Sequence, residues 1–207
     1  MPGGILRQCC LNARSIKNKS ADVACYASST GADIFAITES WLSERDVAHK
    51  TEITLSGYKL FEHQRVGRTG GGIALLLNET IDVRKVDSGE CRSFEFGEWI
   101  LKHESSKLRV IVIYRIPYST AHPVSTSALL DEFPGYLESV VMSPEPLLIT
   151  GDFNIPVDVP NDSNAARFLE LQTSMGLEQH VDKPTHISGH TLEIGRASCR
   201  ERVSSPV

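Results

Sequence analysis

Pro146-Leu147-Leu148-Ile149-Thr150-Gly151-Asp152-Phe153-Asn154 is the stretch that decides how this chain folds. Leu147-Leu148-Ile149 is a short, unbroken apolar run bounded by turn formers, the pattern of a buried strand. Gly151 permits a sharp turn, so a carboxylate and an amide leave the strand end together. Asp152 can bind a hard cation or hold a water, and Asn154 can donate a hydrogen bond to a phosphate oxygen. That pairing suits metal-assisted phosphodiester cleavage. Asp and Asn also favour ordinary Asx turns at strand ends, so the rest of the chain must decide between the two.

Working outward, Ile5–Asn12 predicts a first strand, followed by a basic turn over Arg14–Lys19 and a helix from Ser20 to Ser29 that stops at Gly31. Asp33–Thr38 is strand-like and ends at Glu39, and Gly70-Gly71-Gly72 opens the apolar strand Ile73–Leu77. Ser93–Lys102 and Leu108–Tyr114 predict a hairpin turning at Glu104–Lys107. Leu130, Phe133, Leu137 and Val140 fall at helical spacing within Leu129–Val141, where Pro134 predicts a late start or a kink. Downstream of the opening stretch, Asn161–Ser163 can cap a helix ending near Met175, with Phe168, Leu171 and Met175 as its apolar face. Strands and helices mixed in this order predict α/β layers with sheets inside and helices outside.

A chain of 207 residues, 41% hydrophobic and 23% charged, can bury one sizeable core. No apolar run approaches the roughly 20 residues of a membrane helix, and Met1-Pro2-Gly3-Gly4 does not open a signal peptide. Five cysteines, with Cys9 and Cys10 adjacent, show no zinc or disulfide spacing, so reduced intracellular thiols are expected. The net charge of −5 excludes nucleic-acid binding by bulk phosphate neutralisation. Any DNA contact must therefore be local, through a metal-centred cleft and a few cations such as Arg65, Arg68 and Arg115.

Polar residues stand where the predicted strands end: Asn12, Glu39, Tyr114, Asp152 and Asn154. Rigid sheets present side chains on short loops at such ends, which is where ligands collect in α/β folds. A lone Glu or Tyr there reads as a solvated carboxylate or a core-edge ring; five together read as a site. Glu39 and Asp152 are oxygen ligands suited to Mg²⁺, and Asn12 and Asn154 can orient phosphate or water without adding charge. Tyr114 can donate a hydrogen bond to charge developing at phosphorus.

With these residues in place, the chain resembles the endonuclease/exonuclease/phosphatase superfamily, and more narrowly the apurinic-type endonuclease domain of LINE-like (non-LTR) retrotransposons. The matching text is Leu11-Asn12-Ala13-Arg14-Ser15, Thr38-Glu39-Ser40-Trp41-Leu42, Gly57-Tyr58, Arg65, the triple glycine, Phe94-Glu95, Tyr114-Arg115-Ile116-Pro117, Gly151-Asp152-Phe153-Asn154, Pro184-Thr185 and Gly189-His190-Thr191-Leu192. The resemblance covers 5–192. It implies an α/β fold, a four-layer sandwich of two packed mixed sheets flanked by helices, incomplete at its C-terminus. It implies Asn12, Glu39 and Asp152 around Mg²⁺ (or Mn²⁺), Asn12, Tyr114, Asp152 and Asn154 in catalysis, and Arg65 and Arg115 on the substrate. It further implies DNA as partner, a reverse transcriptase domain in the full-length element, no membrane contact, and an intracellular, nuclear setting inferred from the substrate.

The pattern then breaks. The family places an Asp directly after Thr-Leu to orient a histidine carried by a later Ser-Asp-His triplet. This chain has Glu193 there and no Ser-Asp-His, and His190 precedes the Thr-Leu pair. Glu193–Val203 resembles one reading frame of a common short-read sequencing adapter, so 193–207 are expected to be non-native or disordered, and the fold short of its final strands. Losing a positioned general base costs roughly 10²–10⁴ in rate, so little or no turnover is expected. Two other classes stay open: a phosphatase or phosphodiesterase acting on a small molecule or lipid, and a non-catalytic or domesticated fragment that binds DNA or protein.

Overall fold

The computed structural model describes residues 6–65, 67, 70–181, 191 and 193–198, the last six by backbone alone. Arg68 and His190 lie outside the described residues.

Four strands form one mixed sheet: β1 (Gln8–Asn12), β2 (Ile34–Thr38), β3 (Tyr58–His63) and β4 (Ile73–Asn78), in the order β1-β2-β4-β3. Six more form the second: β5 (Asp82–Glu90), β6 (Phe94–His103), β7 (Ser106–Arg115), β8 (Leu147–Asp152), β9 (Leu177–Gln179) and β10 (Glu193–Ser198), in the order β5-β6-β7-β8-β10-β9. The helices are α1 (Ser20–Thr30), α2 (Val47–Ile53), α3 (Thr126–Val141) and α4 (Ser163–Ser174).

Strand alternation divides the apolar residues into three cores. Ile34 and Ala36 of β2, Val110 and Val112 of β7 and Leu148 of β8 face inward and meet between the sheets. Their neighbours Phe35 and Ile37 turn outward onto Val23 and Ala27 of α1 and Ile53 of α2. Ile111, Ile113 and Ile149 turn the opposite way, onto Phe133 and Leu137 of α3 and Phe168 of α4. The result is the expected four-layer α/β sandwich.

A buried polar contact crosses the layer between the sheets near its middle. Gln8 Nε2 on β1 donates to Thr150 Oγ1 on β8 at 2.9 Å, with both residues buried. Thr150→Val removes the acceptor, keeps the shape and leaves the amide without its partner, which costs about 1–3 kcal/mol. The expected result is a lower urea midpoint with an unchanged m-value.

Several boundaries differ from the sequence expectation for identifiable reasons. α3 begins at Thr126 because Ser125 caps it, its Oγ accepting from Ala128 N at 3.2 Å, and the helix runs through Pro134 rather than starting late. α2, β3 and β5 have no clear sequence signal. β5 is largely polar and forms through its ladder with β6, with an irregularity between Lys85 and Asp87 of the kind edge strands carry. Within 193–207, expected from the sequence to be non-native or disordered, Glu193–Ser198 pairs antiparallel with β8 on one side and β9 on the other. Backbone groups along the edge of β8 accept a partner strand whatever its side chains, because each needs a hydrogen bond. Residues 199–207 lie outside the described residues.

Candidate active site

The site is the polar end of the layer between the sheets. On β1, β7 and β8 the inward-facing rows run Gln8-Cys10-Asn12, Val110-Val112-Tyr114 and Leu148-Thr150-Asp152, so each row closes on a polar group at the same end. Register makes them neighbours: Tyr114 pairs with Asp152 across β7 and β8, and Glu95 of β6 pairs with Tyr114. Glu39 follows β2 directly, its backbone in the left-handed region at φ 52°.

Asn12 joins the two sheets here. Its Nδ2 donates to Glu39 Oε1 at 2.9 Å and to Asp152 Oδ2 at 2.6 Å, so one amide holds two carboxylates from different sheets. Its Oδ1 accepts from Arg14 N at 3.1 Å, which fixes the turn after β1. The other Asp152 oxygen accepts from Asn154 N at 2.9 Å. Tyr114 donates its O–H to Glu39; burial, then the charge of Glu39, raises its pKa well above the ordinary phenol value. It therefore stays protonated and works as a donor, never as a base.

Two sequence-predicted residues take other positions. Arg115 is 3% exposed, and its Nη1 donates to Asn154 O at 3.0 Å while Nη2 donates to Thr126 Oγ1 at 2.9 Å. It thus braces the Gly151–Asn154 loop against α3 instead of reaching toward the open end. Asn154 Nδ2 returns a hydrogen bond to Arg115 O at 2.8 Å, so this amide is directed at the brace. Arg65 is at the site: it is ion-paired with Glu95 and its guanidinium carbon lies 5.9 Å from the Tyr114 ring centroid.

Glu95, 1% exposed, has no role in the sequence reading beyond its place in the family wording. Besides Arg65, it accepts from Gly72 N at 2.7 Å and so anchors the glycine strap. A Cβ on Gly71 would fall 2.3 Å from Arg65 Cζ, which explains a glycine there without any appeal to phosphate binding. The strap holds the segment after β2, with Ser40 N donating to Gly72 O at 3.1 Å and Trp41 N to Gly71 O at 2.9 Å. A carboxylate set between Phe94 and Phe96 was the available signal for Glu95.

The turn after β1 is tied to the same rim. Lys17 Nζ lies 2.8 Å from Asp46 Oδ2, which also accepts from Ser43 N at 2.8 Å. Lys17, then Ser43, hold the Asp46 carboxyl down at about 2. A depressed carboxylate contributes stability above its unfolded pKa and loses it as pH falls through the folded one. The expected result is that Asp46→Asn flattens the melting-temperature profile between pH 3.8 and about 2 and leaves its shape unchanged above that window.

The donor set fits a hard divalent cation. Glu39 and Asp152 offer carboxylate oxygens brought together by one amide, and no group of three or more His, Cys, Asp or Glu converges among the described residues. A cation held by two carboxylates that takes its other ligands from water and phosphate matches the preference of Mg²⁺.

A model of the Endonuclease/Exonuclease/phosphatase family matches residues 9–189. Comparison with curated protein sequences returns no match. Among solved structures, the endonuclease domain of TRAS1, a telomere-specific non-LTR retrotransposon, superposes with a TM-score of 0.65 at 15% identity, over 93% of this chain and 83% of that one. A D. rerio TDP2 humanised by 14 mutations gives 0.65 at 12%, over 94% and 83%. A mannosyl-6-phosphatase from Bacteroides thetaiotaomicron gives 0.64 at 12%, over 93% and 84%. At these identities the likeness establishes the fold.

Proposed function

We propose, since the chain belongs to the endonuclease/exonuclease/phosphatase family, that it is the DNA-nicking endonuclease domain of a non-LTR retrotransposon, a phosphodiester hydrolase using Mg²⁺. The observation that carries this reading is Asn12 holding Glu39 and Asp152 together at the open end of the sandwich, beside the Tyr114 hydroxyl. Glu39 and Asp152 are the residues that would hold the cation. When bound, it would supply Lewis-acid polarisation of the phosphate.

The chain's own residues supply orientation. Asn12 and the Asn154 backbone N–H fix both oxygens of Asp152, so that carboxylate reorganises little when a substrate arrives. Tyr114, whose O–H donates to Glu39, would turn that donor toward charge developing on a phosphoryl oxygen. Arg65, ion-paired with Glu95, stands beside that ring with its guanidinium carbon 5.9 Å from the centroid. DNA is favoured over a small phosphoester by the Thr38-Glu39-Ser40-Trp41-Leu42 wording. A nuclear location follows from that substrate.

The test is conversion of supercoiled plasmid to open circle under enzyme excess, with Mg²⁺ and with chelator. Slow Mg²⁺-dependent nicking supports the reading. Phosphate release from small phosphoesters without nicking replaces it with a phosphatase, and metal-independent DNA binding without hydrolysis replaces it with a binding fragment.

A further inference from the structure

Trp41 is large, apolar and left in solvent beside a phosphodiester site. It is 38% exposed, whereas Trp99, the chain's other tryptophan, is fully buried in the layer between the sheets. Trp41 stands two residues after Glu39, so the two Cα atoms are within about 7 Å of each other. Packing against Gly70 covers part of the ring, and the remainder faces solvent beside the site.

The backbone holds the ring in that position. Trp41 has φ 55°, a left-handed conformation uncommon for a bulky residue, and Glu39 has φ 52°. Trp41 N and Ser40 N donate to the strap carbonyls of Gly71 and Gly72, and Glu39 O and Ser40 O accept from Ser15 N at 2.8 Å and Ile16 N at 3.0 Å. Both neighbours of the segment are thus fixed. The indole itself lies against Gly70, where an added Cβ would sit 3.5 Å from Cε2. Glycine supports the ring without a side chain that would cover it. The product is a rigid aromatic surface next to the metal-binding carboxylates.

Charge tells what it would meet. A net charge of −5 leaves the chain only local cations for phosphate contacts and weakens the counterion-release contribution to DNA binding, so a contact that ignores charge gains weight. Base stacking on an aromatic ring is such a contact, and it tolerates any sequence because every base has a π-face. We infer that Trp41 is the stacking platform for a base of the strand whose phosphate reaches Glu39 and Asp152, and that it selects nucleotide-bearing phosphodiesters over other phosphoesters. This rests on the DNA reading above and names a subsite for it.

The experiment needs no turnover. Full-length chain is titrated with a 20-nucleotide DNA strand, single and annealed, in Ca²⁺, following tryptophan fluorescence and, separately, anisotropy of a labelled strand. Because Trp99 is buried, quenching reports Trp41. Expected results are quenching on binding, affinity lowered roughly 5- to 150-fold in Trp41→Ala, and near-normal affinity in Trp41→Phe. Trp41→Leu separates packing from stacking: it keeps an apolar group against Gly70 and should bind as weakly as Trp41→Ala at an unchanged melting temperature. Equal DNA affinity in wild type and Trp41→Ala, or full rescue by Trp41→Leu, overturns this inference and leaves the endonuclease reading standing. Absence of DNA binding by wild type overturns both.

Discussion

Replacing Asp152 with alanine is expected to lower Mg²⁺-dependent plasmid nicking about 10²–10³-fold, the cost of removing one preorganised electrostatic group from such a site. The loss has three parts. One of two carboxylates able to hold the cation disappears, leaving Glu39 alone. Asn12 Nδ2 loses its 2.6 Å acceptor and with it the link between the sheets at this end. Asn154 N loses its 2.9 Å acceptor, which frees the loop after β8. Mn²⁺ titration by calorimetry gives a readout independent of rate: the variant should bind the metal at least about tenfold more weakly, since a hard cation depends on carboxylate ligands. Nicking and Mn²⁺ affinity both unchanged in Asp152→Ala would remove this residue from the site.

Gly151→Ala should be the most damaging addition of a single methyl group. Gly151 has φ 137°, a region essentially closed to residues with a Cβ, and the added carbon would lie 1.9 Å from Ile113 O on the paired strand. That oxygen belongs to backbone inside the six-stranded sheet, so no side chain can swing aside to relieve the contact. β7 and β8 must separate locally, at the rung next to Tyr114 and Asp152. A cost of about 3–5 kcal/mol is expected, placing the substitution among the rare severe ones. For a chain of this size that corresponds to a melting temperature lower by roughly 10 °C. Differential scanning calorimetry reads it directly, and a shift under about 2 °C would show that β8 accommodates a Cβ there.

The residues legible in the sequence were those whose meaning is local. Asn12, Glu39 and Asp152 each end an apolar run, and a run's end is visible without knowing its neighbours. Tyr114 was legible for the same reason. The placing of Arg115 was not, because adjacent strand residues point to opposite sheet faces and only the packing of α3 shows that this side chain turns toward Thr126. Glu95 depends on two non-local facts, its rung beside Tyr114 and its contact with the glycine strap. β5 escaped notice because its polar sequence follows its partner's ladder rather than its own pattern. Glu193–Ser198 did so because an open strand edge recruits backbone, which composition does not report.

The hydrogen bond from Asn12 to Asp152 spans 140 positions of the chain, while that from Asn12 to Glu39 spans 27. During synthesis the first pair can meet early, yet the ribosome must still deliver most of the polypeptide before the second carboxylate arrives. The pair of carboxylates therefore comes together only after both sheets have closed on each other, and contacts this distant form late and slowly. A nascent or half-folded chain therefore carries Asn12 and Glu39 without Asp152, and the order of folding keeps the polar end of the sandwich unassembled until both sheets are in place.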